Sequence, residues 1–396
     1  MAFTRERSLR LHVARHEERK ISWLELFYDL IYVATIIQLG NLLADDPTPR
    51  GATLFVFLFV PIWWSWTGMM FFFNRFVVDD AVHRVLVFAQ MFAIANLAIS
   101  VTGAYGETSA AFALSYAAVR FILVVLYVRA WGAVPDARPL IRRYALGFSF
   151  AATFWVVSAF VPEPYRYAFW LVGLALEFYV PLSAGSRRLQ HLLPPDREHV
   201  AERYGLFTII VLGESFIKVV GGLADHGVTL DALVLSGLGF VVAASLWWLY
   251  FDGAHAAIHT TTARARYAWI YGHLPLTIGI TSVGVALKKL AVLPMGDGVS
   301  DTVRWLFGGA VIVCLLAFAM LDGVKAAPRP GGFAALVGAR LAGAAAVGVI
   351  VLLGGALSTF AFALLVALVC AVQIVVLETS RARSARGGSV RGEPTA

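Results

Sequence analysis

The segment GATLFVFLFVPIWWSWTGMMFFF (51–73) runs without a single Asp, Glu, Lys or Arg. At 1.5 Å of rise per residue such a stretch crosses the roughly 30 Å hydrocarbon core of a bilayer as one helix. A helix on the surface of a soluble domain needs a polar face, and this one has none.

Working outward, the same signature recurs along the whole chain. Of the 396 residues 59% are hydrophobic and 14% charged, and the mean hydropathy is +0.75. That composition excludes an ordinary soluble domain and supplies apolar sequence for many spans. We place spans at 22–44, 51–73, 82–105, 109–131, 142–161, 166–185, 203–223, 230–252, 267–288, 303–322, 333–354 and 357–378. The fold class expected is therefore all-α: a polytopic membrane bundle of about twelve transmembrane helices. Residues 1–21 form a basic cytoplasmic tail, not a cleaved signal peptide, because the apolar run after them is long and has no small-residue cleavage site. The first membrane half covers 22–185, a cytoplasmic linker 186–202, the second half 203–378, and a disordered basic tail 379–396.

Charge distribution sets the orientation. With the N-terminus inside, the inner segments hold Arg5, Arg7, Arg10, Arg15, Arg19, Lys20, Arg75, Arg84, Arg129, Arg138, Arg142 and Arg143. They also hold Arg187, Arg188, Arg197, Arg203, Arg264, Arg266, Lys325, Arg329, Arg381, Arg383, Arg386 and Arg391. Only Arg50, Arg166, Lys288, Lys289 and Arg304 fall outside. This is the positive-inside bias, with both termini in the cytoplasm and the chain in the inner (cytoplasmic) membrane. The formal charge of +7 is thus topological, and the partner it implies is the lipid bilayer, not nucleic acid.

The two halves resemble each other at a near-constant offset. Trp63-Trp64 recurs as Trp247-Trp248, Glu18-Arg19 as Glu202-Arg203, and Val119-Arg120-Phe121 as Val303-Arg304-Trp305, each 184 residues on; Gln90 and His273 are 183 apart. Six spans per half make the repeats parallel, a transporter architecture with sites expected between the halves.

Three segments carry a family resemblance: ERKISWLELFYDLIYV (18–33), NRFVVDDAVHR (74–84) and HVAERYGLFTIIVLGES (199–215), the last followed by WWLYFD (247–252) and YGHLPLTIGI (271–280). Together they resemble the bacterial low temperature requirement protein A (LtrA) family over nearly the whole chain. The resemblance implies a link to growth in the cold and no particular reaction or substrate. Lys288 and Lys289 stand where it implies an acidic residue.

Ionisable side chains inside a bilayer are costly and so mark candidate sites. Glu25 and Asp29 share one face of the first helix, where mutual repulsion leaves one of them holding a proton unless a cation binds the pair. Glu214 and Lys218 are spaced to pair along one helix. Glu177 and Arg120 are placed to pair with each other or with the carboxylates of helix 1, and Arg340 to snorkel. His273 is a candidate titrating group. Asp252, His255 and His259 share one helix face and form a weak candidate metal set. Cys314 and Cys370 read as small buried hydrophobes.

No Walker A loop, Rossmann fingerprint or nucleophile elbow is present, so no cofactor and no catalytic residue are assigned. The leading function is a secondary transporter of a small solute, proton-coupled through buried carboxylates. The alternatives are a membrane enzyme acting on a lipid or quinone-like substrate, and a non-catalytic lipid-sensing or adaptor protein. Neither substrate identity nor oligomeric state is legible.

Overall fold

The computed structural model describes residues 10–11, 21–77, 80–190, 193–253, 262–324 and 332–389. The described residues are helical apart from loops, a two-residue antiparallel pairing of β1 (Arg10–Leu11) with β2 (Phe76–Val77), and an isolated bridge between Gly298 and Ser358. Thirteen α-helices follow in order: α1 Trp23–Asp45, α2 Pro49–Arg75, α3 Ala81–Ser100, α4 Ser109–Ala133, α5 Arg138–Ser158, α6 Tyr165–Leu182 and α7 Ala184–Gln190. Then come α8 Arg197–His226, α9 Leu230–Trp248, α10 Ala263–Leu290, α11 Asp301–Gly323, α12 Gly332–Leu353 and α13 Thr359–Ser389.

Ten of these are long and apolar enough to span a membrane, and the bent pair α6–α7 makes an eleventh. The expected count of about twelve differs at two places, for visible reasons. Helix α5 has the length, 21 residues, but begins with Arg138, Arg142 and Arg143. Helix α6 stops just after Pro181, and α7 leaves it at 45°. Large apolar side chains face outward along the spans, among them Phe92, Ile99, Phe160 and Val375. In a bilayer that surface meets lipid.

The chain divides into two compact units, Met1–Leu42 with Thr53–Arg203, and Leu43–Ala52 with Tyr204–Ala396. In the first, α3, α4, α5 and α6 pack in chain order. Helix α6 meets α2 through stacked Trp64 and Phe178 rings 4.0 Å apart. In the second, α10, α11, α12 and α13 pack in chain order and α13 meets α9.

Helix starts are set by short polar side chains. Asp80 caps α3 by accepting from His83 N at 2.9 Å, and its other oxygen accepts from Arg129 of α4. Thr229, Thr262 and Ser300 cap α9, α10 and α11 in the same way.

Candidate functional site

The first unit holds a buried ionic network built on α1. Glu25 and Asp29 lie one turn apart and both are buried. Arg203, from the first turns of α8, reaches both: Nη1 donates to Glu25 Oε2 at 2.8 Å and Nη2 to Asp29 Oδ1 at 2.6 Å. His199, one turn before Arg203, places Nε2 3.1 Å from Glu25 Oε2. Trp66 of α2 donates its indole N–H to Asp29 Oδ1 at 2.8 Å. The Phe73 ring lies 5.6 Å from the Arg203 guanidinium carbon, a cation–π contact.

The α8 start is held in place from α2. Asn74 and Asp196 bond reciprocally, Nδ2 to the Asp196 carbonyl and Asp196 N to Oδ1, both at 2.9 Å. Asp196 Oδ1 then caps α8 by accepting from Glu198 N at 3.0 Å and His199 N at 3.2 Å. The sequence therefore positions His199 and Arg203 through a polar clasp at the end of α2.

From Asp29 the polar line continues along α1. Tyr28 and Tyr32 hydroxyls are 3.4 Å apart, and Tyr32 meets Ser65 of α2 at 2.9 Å. Tyr32 lies within electrostatic reach of both Asp29 and Arg120. Arg120 of α4 sits with Nε 3.1 Å from Glu177 Oε2 of α6, and Tyr116 donates to the same oxygen at 2.8 Å. Arg120 and Glu177 are both fully buried.

The second unit holds the remaining candidates, each apart from the others. Lys218 Nζ is 3.9 Å from Glu214 Oε1 on the same helix, and Lys288 lies within electrostatic reach of Lys218. His273 Nε2 is 3.0 Å from the Tyr250 hydroxyl, and Nδ1 is 2.8 Å from the Trp269 carbonyl. Tyr250 belongs to a wider, π-helical turn, Leu249–Gly253, that extends α9. Arg340 does not snorkel: it is fully buried, with Asp322 Oδ2 at 3.2 Å and Gln373 Oε1 at 3.0 Å providing the compensation that water would otherwise give. Asp252 pairs with Arg381 at 3.0 Å. His255 and His259 lie outside the described residues, and among the described residues no cluster of three or more metal-ligating side chains occurs. Cys314 and Cys370 are buried and unbridged.

Sequence reasoning brought Glu25 to Asp29 by helical spacing but assigned Arg203 only to the charge bias at a span start. His199 and the Tyr28–Tyr32 pair were not singled out, and Trp66 reads from sequence only as bundle packing or an interfacial aromatic. The available signal was the Glu202-Arg203 doublet, matched in sequence to Glu18-Arg19, which placed a cation at the start of α8 without saying what it faces.

The chain is 30% identical over 286 residues to a Rhizobium meliloti (strain 1021) protein named uncharacterized protein RA0937, covering 68% of this chain and 69% of the relative. No solved structure matches the chain. The family described as bacterial low temperature requirement A protein (LtrA) matches residues 20–377. With that match running through all three motif segments and both units, the chain belongs to the LtrA family and is a multi-pass membrane protein.

Proposed function

We propose that the protein is a proton-coupled secondary transporter of a small solute, with Glu25, Asp29, Arg203 and His199 as the coupling centre. The observation that carries this is a cluster of buried ionisable groups. Two buried carboxylates one helical turn apart bond to the same arginine, and His199 lies at ion-pair distance from Glu25. Charge held inside a bilayer is costly, and such groups inside a membrane bundle are suited to carrying a proton. Taking up the proton also weakens the hold of Arg203 on α1, which links protonation to the position of α8.

A duplication, inferred from the sequence offsets, fits the same reading. The order of helix packing within the two units is alike, α3 to α6 and α10 to α13. Parallel six-helix repeats suit alternating access. Glu214 with Lys218 supplies a second ionisable pair, on α8.

The test is flux in proteoliposomes loaded with a pH dye and challenged with small amino acids, hydroxy acids and sugars. Wild-type protein is expected to move protons only with a solute gradient. Asp29→Asn and Glu214→Gln are expected to insert and fold normally and to lose that flux. Normal coupled flux by a well-folded double variant removes both residues from the mechanism.

A further inference from the structure

The Arg120–Glu177 pair has more hydrogen-bonding capacity than the protein around it satisfies. Arg120 is near the middle of α4 and Glu177 lies within α6, both fully buried. Arg120 Nε lies at ion-pair distance, 3.1 Å, from Glu177 Oε2, while Nη1 and Nη2 have no hydrogen-bond partner among the described residues. Glu177 Oε2 is also taken by Tyr116, and Oε1 has no partner. The Trp155 ring packs 4.1 Å from that of Tyr116, and its buried N–H likewise has no acceptor. Unmet donors therefore outnumber unmet acceptors, with Nε, Nη1 and Nη2 of Arg120 and Nε1 of Trp155 against Oε1 of Glu177.

A second observation concerns the space. Gly68 of α2 stands against the guanidinium: a Cβ there would lie 2.8 Å from Nη1. The Phe148 ring covers one face of the guanidinium with its centroid 4.6 Å away. The guanidinium thus packs against an aromatic ring and, at Nη1, close to bare backbone, with both terminal nitrogens unmet. That geometry matches a carboxylate bidentately, which a lysine ammonium does not. Buried donors left unmet in this way call for a partner.

We propose that Arg120 and Glu177 bind a small monocarboxylate carrying an O–H or N–H next to its carboxylate group, as in a hydroxy or amino acid. The carboxylate takes Nη1 and Nη2 of Arg120, and the adjacent donor takes Oε1 of Glu177. This site goes beyond the coupling centre and relies on it in one respect, that the transport cycle opens the bundle to admit the ligand.

Calorimetric titration of the full chain in detergent with L-lactate, acetate and methyl lactate tests the assignment without measuring transport. Wild-type protein is expected to bind lactate saturably, acetate more weakly and methyl lactate not at all. Arg120→Lys keeps the charge and loses the fork, and is expected to weaken lactate binding about tenfold or more. Gly68→Ala changes no charge and is expected to weaken it as well, by crowding Nη1. Glu177→Gln removes the competing anion and is expected to tighten acetate binding, a gain that loss of a structural ion pair does not produce. Size-exclusion profiles and melting curves establish which variants are folded; if Arg120→Lys is not, the other two decide. Absence of saturable lactate binding by wild-type protein, or unchanged binding in a folded Arg120→Lys or Gly68→Ala variant, overturns the proposal. Loss of proton flux with lactate binding intact strikes the coupling centre and not this site.

Discussion

Arg203 changes the meaning of Glu25 and Asp29. On helical spacing alone the two carboxylates repel, and one must hold a proton. With Arg203 bonded to both, the repulsion is offset. Removing one partner of a buried ion pair leaves charge stranded in a low-dielectric interior, at a cost of about 3–5 kcal/mol. Arg203→Met is therefore expected to lower folded yield and melting temperature sharply. The triple variant Glu25→Gln, Asp29→Asn, Arg203→Met, which removes the three bonded charges together, is expected to recover most of the loss. If Arg203→Met melts like wild type in the same detergent, the network is not holding α1 to α8.

Two aspartates outside the spans act at the scale of helices. Asp196 caps α8 and is itself fixed by Asn74, so the cap also sets where His199 and Arg203 meet α1. Asp196→Ala is expected to cost about 1–2 kcal/mol, the usual range for a lost helix cap, and to reduce coupled flux per folded molecule. Asp80 caps α3 and receives Arg129. Partial burial opposes its ionisation, but the hydrogen bond from Arg129 and that from His83 N outweigh burial and hold the carboxyl below its ordinary 3.8. A folded-state value below the unfolded one means stability that is present above 3.8 and is lost as pH falls through the folded value. Melting temperature should therefore drop in acid below about pH 4 in wild type. The drop should be smaller in Asp80→Asn, measured from pH 6 downward; equal slopes would remove Asp80 as the cause.

At the scale of the whole chain, the test is sidedness. Reporter fusions at Asp45 and Gly106 are expected to read as outside, and those at Asp136, Pro194 and after Arg383 as inside. Pro194 precedes α8, so an inside reading there means that each half crosses the membrane an even number of times and enters from the same side, as parallel repeats require. An outside reading at Pro194 would make the halves inverted or the span count odd, and an inside reading at Asp45 would overturn the span assignment itself. The uneven membrane character of α5 and of the bent α6–α7 pair makes Asp136 and Pro194 the informative positions.

Sequence alone determined that the chain is a helical membrane bundle, because a bilayer admits few backbone solutions and an uncharged run such as 51–73 satisfies only one of them. It also determined the family, through short motifs, and the pairing of Glu25 with Asp29 and of Glu214 with Lys218, since neighbours one helical turn apart are set by local geometry. Partners far apart along the chain were decided by tertiary structure. Arg203 is 174 residues from Asp29, and Glu177 is within ion-pair reach of Arg120 only because α4, α5 and α6 pack in order. Sequence offered Arg120 either Glu177 or the α1 carboxylates and placed Arg340 at a membrane surface. The fold gave Arg120 to Glu177 and buried Arg340 against Asp322 and Gln373. Periodicity reports which face of a helix a residue occupies, whereas the charge that faces it depends on which helices close around it.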